Sequence, residues 1–547
     1  MWEHNYAPVG GSLGWSAAVA AIPVLVLFFM LGVKRKPAWM AAAAGLGSAL
    51  VLALVVYRMP VQLAVLSTLF GMAFGLFPIA WVVFASIMLY RLAVETGKFE
   101  IIKDSVGGLT NDRRLQALFI AFSFGAFIEG AAGFGAPVAV AGAMLAGLGF
   151  SPFYAAGICL LANTAPVAFG SIGTPVITLA NVTGLPVLPL SAMVGRLCAA
   201  VSVFIPGYLV VTMVGGRKAF EVWPAILVAG LSFASVQLVV SNMLGPELTD
   251  ILSSLFCIAC MVVVLKLWKP KNIVRLEGDM PITVAPKQHT GMETLAGWSP
   301  YILLVIVVLI WGTPAFKALL DGATMKLIPV PGLHNAITRV PPVTGTASPY
   351  GAVFTLNWMT ASGTACFIAA ILTAVLLRMK PSQFVSTYKA TFKQLSVPMA
   401  TISLMLGLAY LMNYSGMTST LGLSLATTGK GFPFFSAVLG WLGVFLTGSD
   451  TSANALFGNL QVVTANALGL NPVLTASVNS AAGVMGKMIS LQSIAVAVAA
   501  TGLALSDEGK LFRFTVKHSI FLMILMGIMS MLYAYVFPGA VPVVVPQ

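Results

Sequence analysis

The stretch GAFIEGAAGFGAPVAV, Gly125 to Val140, sets Glu129 in the middle of an apolar, glycine-rich run. A charge at such depth in a membrane segment is costly, and it persists where it faces a cavity, a partner or a substrate. The glycines thin the helix and let backbone groups approach a ligand. A second stretch, GWLGVFLTGSDTSANALFG (Gly440 to Gly458), repeats the pattern. FIEG at 127–130 matches FLTG at 445–448, so Glu129 aligns with Thr447, three residues before Asp450.

The match extends in both directions. LGFSP (148–152) pairs with LGLNP (468–472), and TGL (183–185) with TGL (501–503). Further back, Tyr57-Arg58-Met59-Pro60-Val61-Gln62 resembles Arg378-Met379-Lys380-Pro381-Ser382-Gln383. The offset stays near 318–321, which marks a repeat rather than a chance match.

Composition gives the class. The 547 residues are 59% hydrophobic and 8% charged, with a mean hydropathy of +0.97. No soluble core needs that, so the chain is expected to be an all-α polytopic membrane protein. Its apolar runs are long and continuous rather than alternating, which excludes a β-barrel. The net charge of +13 does not point to nucleic acid, because the cations cluster in short loops as the positive-inside rule requires. The five cysteines lie in apolar stretches. Cys257 and Cys260 form a CxxC without nearby His or acidic partners, so packing is expected rather than a metal site. Residues 1–12 lack a basic n-region, and the first apolar run reads as a retained helix.

Charge sets the expected topology. Lys34-Arg35-Lys36 follows the first span, which places that loop in the cytoplasm and the N-terminus outside. Basic segments 91–114, 217–218, 266–275, 378–393 and 510–517 fit the inside; 242–250, 313–350 and 414–431 fit the outside, as does the C-terminus. Apolar spans fall near 13–33, 39–57, 71–90, 188–214, 222–241, 250–268, 299–312, 353–377, 395–413 and 517–537. Regions 114–185 and 432–504 are broken by Gly, Pro, Asn and Ser.

With these signs, span 39–57 runs in to out and its copy 353–377 out to in; 71–90 and 395–413 oppose each other likewise. Inverted repeats with broken helices are the mark of secondary transporters, with the site at the repeat interface. The expected organisation is a first inverted repeat over 1–215 and a second over 276–547. A helical hairpin and basic cytoplasmic loop, 216–275, would join them. About 12 full crossings are expected, within a range of 12–16. Leu115–Ile128 and Phe134–Leu148 are each short for a span of about 20 residues. They read as a re-entrant hairpin with its tip at Glu129–Gly135, followed by one crossing, 152–183, interrupted at NTAPVAFGSIGTP (163–175). Three thin crossings are the alternative.

Of the sixteen acids, only Glu129 and Asp450 read as deep in apolar sequence. They are the candidate proton-coupling residues, because burial penalises a charged carboxyl. Arg196 and Lys487 are the basic residues within membrane segments. Lys487 lies in the second helix break, GVMGKMISLQS (483–493). Open half-helix N-termini present unpaired N–H groups and a positive dipole end. With Gly130, Gly133, Gly135, Asn163, Thr164, Ser171, Thr174, Ser449, Thr451, Ser452, Asn454, Asn479, Ser490 and Gln492, they can hold a small carboxylate and a hydroxyl. Lys487 or Arg196 would supply countercharge. Two blander readings stay open: Arg196 snorkels to the outer interface, and Lys487 pairs structurally with Asp450.

GAFIEGAAGFGAPVAV, NTAPVAFGSIGTP, GWLGVFLTGSDTSANALFG, GKMIS (486–490) and LFRFTVKHS (511–519) resemble the bacterial L-lactate permease family over nearly the whole chain. One departure is Leu491, where the family often carries a proline after GKMIS. The resemblance implies uptake of L-lactate, and often of D-lactate and glycolate, with protons across the bacterial cytoplasmic (inner) membrane. It implies no enzyme activity and no cofactor, and a homo-oligomer stays open. Three alternatives rank lower. A Na⁺-coupled carboxylate carrier would use broken-helix carbonyls and Asp450. A proton-channel subunit needs a longer intramembrane chain of ionisable groups. A membrane enzyme would show a catalytic motif, and none is present.

Overall fold

The computed structural model describes residues 1–107, 109–133, 135–276, 278–280 and 287–543. Phe134, at the expected hairpin tip, and the C-terminal residues 544–547 lie outside the described residues. Among the described residues, twelve helices are long and apolar enough to cross a membrane; the bent pair Pro152–Ala162 and Val167–Thr183 brings the number to thirteen. The strands among the described residues are few and short, and they form no barrel. The chain is an all-α polytopic membrane protein.

The spans bury small residues and turn large ones outward. On Ala38–Val55, Ala41, Ala42, Gly45, Ala49 and Ala53 are buried, while Val51 and Val55 are exposed. A Cβ on Gly45 would lie 3.2 Å from both Leu408 and the Pro23 carbonyl, so the small stripe sets the distance between helices. This is membrane packing, where close backbone approach replaces the hydrophobic drive and branched side chains face lipid.

Two helical hairpins and two broken spans position the site. Hairpin 1 comprises Arg113–Ala131 and Ala136–Gly147. Hairpin 2 comprises Phe432–Thr447 and Asp450–Leu468. Broken span 1 is the pair Pro152–Ala162 and Val167–Thr183, bent by 66°. Broken span 2 is Pro472–Lys487 and Leu491–Thr501. The two ends of hairpin 1 sit together: Arg113 Nη1 donates to the Leu148 carbonyl at 2.8 Å, and Met280 N–H to the Gly149 carbonyl. Both ends of hairpin 2 reach the C-terminal tail, through Tyr535 Oη on the Lys430 carbonyl and Asn471 Nδ2 on the Pro542 carbonyl. Helix Glu508–Tyr535 begins beside broken span 1, where Phe514 stacks edge-on against Phe153, and ends at hairpin 2. The bases of the two hairpins therefore lie towards opposite ends of helix Glu508–Tyr535.

The structure corrects several sequence expectations. Leu115–Ile128 is part of a continuous 19-residue helix. Arg113, Arg114 and Gln116 do not end it, because their polar groups are satisfied internally. The expected spans 71–90 and 395–413 lengthen to Val61–Glu95 and Pro381–Tyr414. In the first the residues added ahead of it are mostly apolar and the far end adds Arg91 and Glu95; in the second a polar extension continues the helix beyond the apolar part. The expected span 353–377 begins as a helix only at Ser362. Val353–Leu356 is instead a strand, paired antiparallel with Lys326–Pro329. The long segment 313–350 is thus structured. It carries helix Pro314–Thr324 and strand Ile337–Arg339, which pairs in parallel with Trp2–Glu3. His4 Nε2 contacts the Tyr414 carbonyl at 2.9 Å, fixing this cap on the face opposite Lys34–Lys36.

The base of hairpin 1 is clamped by Arg114, which is fully buried. It pairs with Asp112 at 2.8 Å and Glu221 at 3.0 Å and donates to the Lys218 and Asn272 carbonyls. Removing one partner from such a network strands the other charges. Arg114→Met is expected to cost about 3–5 kcal/mol, read as a lower midpoint in thermal unfolding of the detergent-solubilised protein.

Candidate functional site

A cavity of about 560 Å³ runs from one face to the centre of the molecule. Arg35, Lys36, Trp39 and Glu508 line its mouth, and Glu129, Asp450 and Lys487 line its floor. These three side chains are nearly inaccessible, with 2%, 4% and 9% exposure.

Local sequence places each of them. Glu129 sits in the last helical turn before the tip of hairpin 1, which reverses through Gly133 (φ +63°) and Gly135 (φ +83°), positions open to glycine because it lacks a Cβ. In broken span 1 the helix gives way at Ser171 and Ile172, both held in the left-handed region at φ 48° and 58°. Such backbone is strained for non-glycine residues and clusters at functional sites. Ser171 Oγ donates to the Ala132 carbonyl at 2.7 Å, tying the break to the hairpin tip. In the second copy Gly448 (φ +72°) turns the hairpin, packed on Gln492 of the facing break.

The two copies interlock at the floor. Lys487 Nζ, from broken span 2, pairs with Glu129 Oε1 of hairpin 1 at 2.9 Å. Asn163 Nδ2, from broken span 1, donates to Glu129 Oε2 at 2.9 Å. Across the interface, Asn454 Nδ2 of hairpin 2 donates to the Pro175 carbonyl of broken span 1. Asp450 accepts from Ser480 Oγ at 2.6 Å and weakly from Asn454. Lys487 therefore pairs with Glu129 and not with Asp450, which corrects the alternative ion pair. The reason is local: Lys487, at the C-terminal end of Pro472–Lys487, reaches hairpin 1, while Asp450 takes Ser480, about two turns back on the same helix.

Three helix N-termini converge here, at Gly135, Ser449 and Ser490. Ser449 Oγ accepts from Ser452 N–H and Ser490 Oγ from Ser493 N–H. Their positive dipole ends favour an anion in the cavity.

Of the expected binding residues, Gly133, Gly135, Ser171, Ser449, Thr451, Ser452, Lys487 and Gln492 line the cavity. Thr174, Asn454, Asn479 and Ser490 stand behind them, spending their hydrogen bonds on the breaks and caps. Thr164 is buried, and its hydroxyl has no partner among the described residues. Gly130 packs against Asp250 rather than the cavity. Arg196 is not brought to the site. It donates to Asn242 Oδ1 at 3.0 Å and to the Ala540 carbonyl near the C-terminal tail, the snorkelling arrangement.

Sequence reasoning missed Ser480, whose hydroxyl is on Asp450, and Gly170, whose lack of a Cβ makes room for Glu129. It also counted only two deep acids. Asp250 is a third, 1% exposed. Its place after PELT, at the start of an apolar run, reads as an interfacial cap; the packing of hairpin 1 buries it.

The L-lactate permease family model matches residues 16–537. The chain belongs to this family. It is 48% identical to the L-lactate permease of Bacillus subtilis (strain 168), over 99% of this chain and 100% of that one. It is 45% identical to the glycolate permease GlcA of Escherichia coli (strain K12), over 98% and 99%. Among solved structures, Neisseria gonorrhoeae MtrF, of a class of antimetabolite efflux pumps, aligns at a TM-score of 0.48 with 13% identity, covering 93% and 97% of the two chains. These permease relatives are transporters, not enzymes.

Within this family member, Gly170 offers a direct probe of the floor. A Cβ there would collide with Glu129 Oε1. Gly170→Ala is expected to displace the carboxyl from Lys487 and to weaken the dependence of lactate KM on pH, while KM itself stays within about threefold, a change of less than about 1 kcal/mol. Uptake kinetics on protein of unchanged expression level check it.

Proposed function

We propose that the chain takes up lactate, with D-lactate and glycolate as further substrates, together with protons across the bacterial cytoplasmic membrane. The observation that carries this reading is the Glu129–Lys487 pair at the floor of the cavity. A 2-hydroxy monocarboxylate needs a cation and hydrogen-bond donors for its carboxylate. Lys487 and the N-termini at Ser449 and Ser490 offer both, but Lys487 is engaged by Glu129 while that carboxyl is charged. A proton on Glu129 removes the pair and releases the ammonium for the substrate. Proton and substrate then bind together by construction, and the loaded site moves with the charge of lactate neutralised. Asp450, with Ser480 as donor, is the second coupling candidate.

In this reading residues 1–215 and 276–547 are the inverted repeats, joined by 216–275. Hairpin bases towards opposite ends of helix Glu508–Tyr535 support that division. The cavity mouth lies beside Arg35 and Lys36, so by the positive-inside rule it opens to the cytoplasm. Both termini then lie in the periplasm. A sodium-coupled carrier is the alternative in the same class. Radiolabelled lactate uptake into proteoliposomes separates them: an inward proton gradient should drive accumulation without sodium. Accumulation driven only by a sodium gradient at fixed pH would overturn the proposal.

A further inference from the structure

Among the described residues, the cavity reaches Glu129 from the side of Arg35 and Lys36. On the other side of Glu129 stands a carboxyl that no step so far uses. Asp250 lies in the first turn of helix Thr249–Leu267, 1% exposed, and among the described residues neither of its oxygens has a hydrogen-bond partner. An unpaired charge in that setting is expensive, whereas a neutral, proton-bearing carboxyl is tolerated. Hairpin 1 presses directly upon it. Gly130, the residue after Glu129, approaches so closely that a Cβ there would lie 2.7 Å from Asp250 Cβ and 3.1 Å from the Ile251 nitrogen. The preceding turn packs on the other half of the site, since a Cβ on Gly173 would lie 2.7 Å from Pro246. One turn outward, half-buried Glu247 accepts from Ser362 Oγ at 3.0 Å, at the face opposite the cavity mouth. The charged and titratable groups acting on Asp250 are Glu129 from hairpin 1 and Lys487 from broken span 2. Cys198, on helix Val187–Val214, also feels its charge.

We infer that Asp250 is a proton-relay residue, passing protons between the Glu247 face and Glu129. The inference rests on the proton-coupled reading above. The transfer balances as a simple exchange. The Asp250 carboxyl gives its proton to the Glu129 carboxylate, and the Glu129–Lys487 pair dissolves. The new Asp250 carboxylate, held by the N-terminal dipole of its helix, regains a proton by way of Glu247. Substrate and proton thus reach the floor by separate routes, and a leak of lactate through the proton route is blocked by the Gly130 and Gly173 contacts.

The test compares net uptake with exchange in proteoliposomes. Asp250→Asn is nearly isosteric and keeps the packing against Gly130. It should slow proton-driven net uptake at least tenfold and shift its dependence on outside pH. Lactate-for-lactate exchange at equal pH, which needs no proton turnover, should stay within about twofold of wild type. Glu247→Gln, at a half-buried surface position, should move the outside-pH profile in the same sense by a smaller amount. Unchanged net uptake and pH profile in both variants would overturn the relay. So would a parallel loss of uptake and exchange in Asp250→Asn with a wild-type profile in Glu247→Gln, because that pattern is structural. If Glu129→Gln uncouples transport while both of these variants behave as wild type, the relay alone fails. If Glu129→Gln still couples, the underlying reading fails.

Discussion

Proteoliposomes carrying Glu129→Gln will exchange lactate but will not concentrate it. With one proton per lactate and a gradient of about one pH unit, the unmodified protein should reach about a tenfold accumulation, equivalent to about 1.4 kcal/mol. The variant should remain near unity. Glutamine fills the same volume beside Asn163 and Gly170, yet it neither carries a proton nor holds Lys487 as an ion pair. Lys487 is then permanently free, so lactate binding should persist and lose its pH dependence. Two readouts move in opposite directions, accumulation lost and binding retained, and a merely destabilised protein would lose both.

The second large effect belongs to Lys487. Lys487→Met removes the cation at the cavity floor that pairs with Glu129. Losing one partner of a buried charged contact costs about 2–5 kcal/mol, so the apparent lactate affinity should fall at least about 30-fold. Initial-rate uptake across a lactate series measures it. The double variant Glu129→Gln/Lys487→Met sharpens the result. A buried ion pair replaced on both sides by neutral groups is often tolerated. If the pair were only structural, the double variant would recover transport. The account has Lys487 binding substrate, so the double variant should stay as impaired as Lys487→Met alone.

Much of this architecture was legible before any coordinates. Glu129 and Asp450 stand out because charge in apolar sequence is costly, and matches such as LGFSP with LGLNP mark a sequence repeat. The hairpins and broken spans follow from short apolar runs punctuated by Gly and Pro. Other features depend on what packs against what. The pairing of Lys487 with Glu129 rather than Asp450 is set by packing: Asp450 takes Ser480 of the Lys487 helix, and Lys487 reaches hairpin 1, a contact across 358 residues. Asp250 looked like a helix cap at a membrane surface, and only the close approach of Gly130 buries it. Arg196 lies within an apolar run, but its long side chain reaches Asn242 and the C-terminal tail. Segment 326–356 carries little periodicity, and its strands form by pairing with each other and with Trp2–Glu3.

The central claim is that lactate moves with a proton borne by Glu129. Proton flux measured with a pH-sensitive dye trapped in proteoliposomes tests it most directly. An imposed inward lactate gradient, without sodium and with the membrane potential clamped, should acidify the lumen of vesicles holding the unmodified protein. Vesicles holding Glu129→Gln should show no acidification while still exchanging labelled lactate. Acidification at the same proton-to-lactate ratio in the variant would contradict the account.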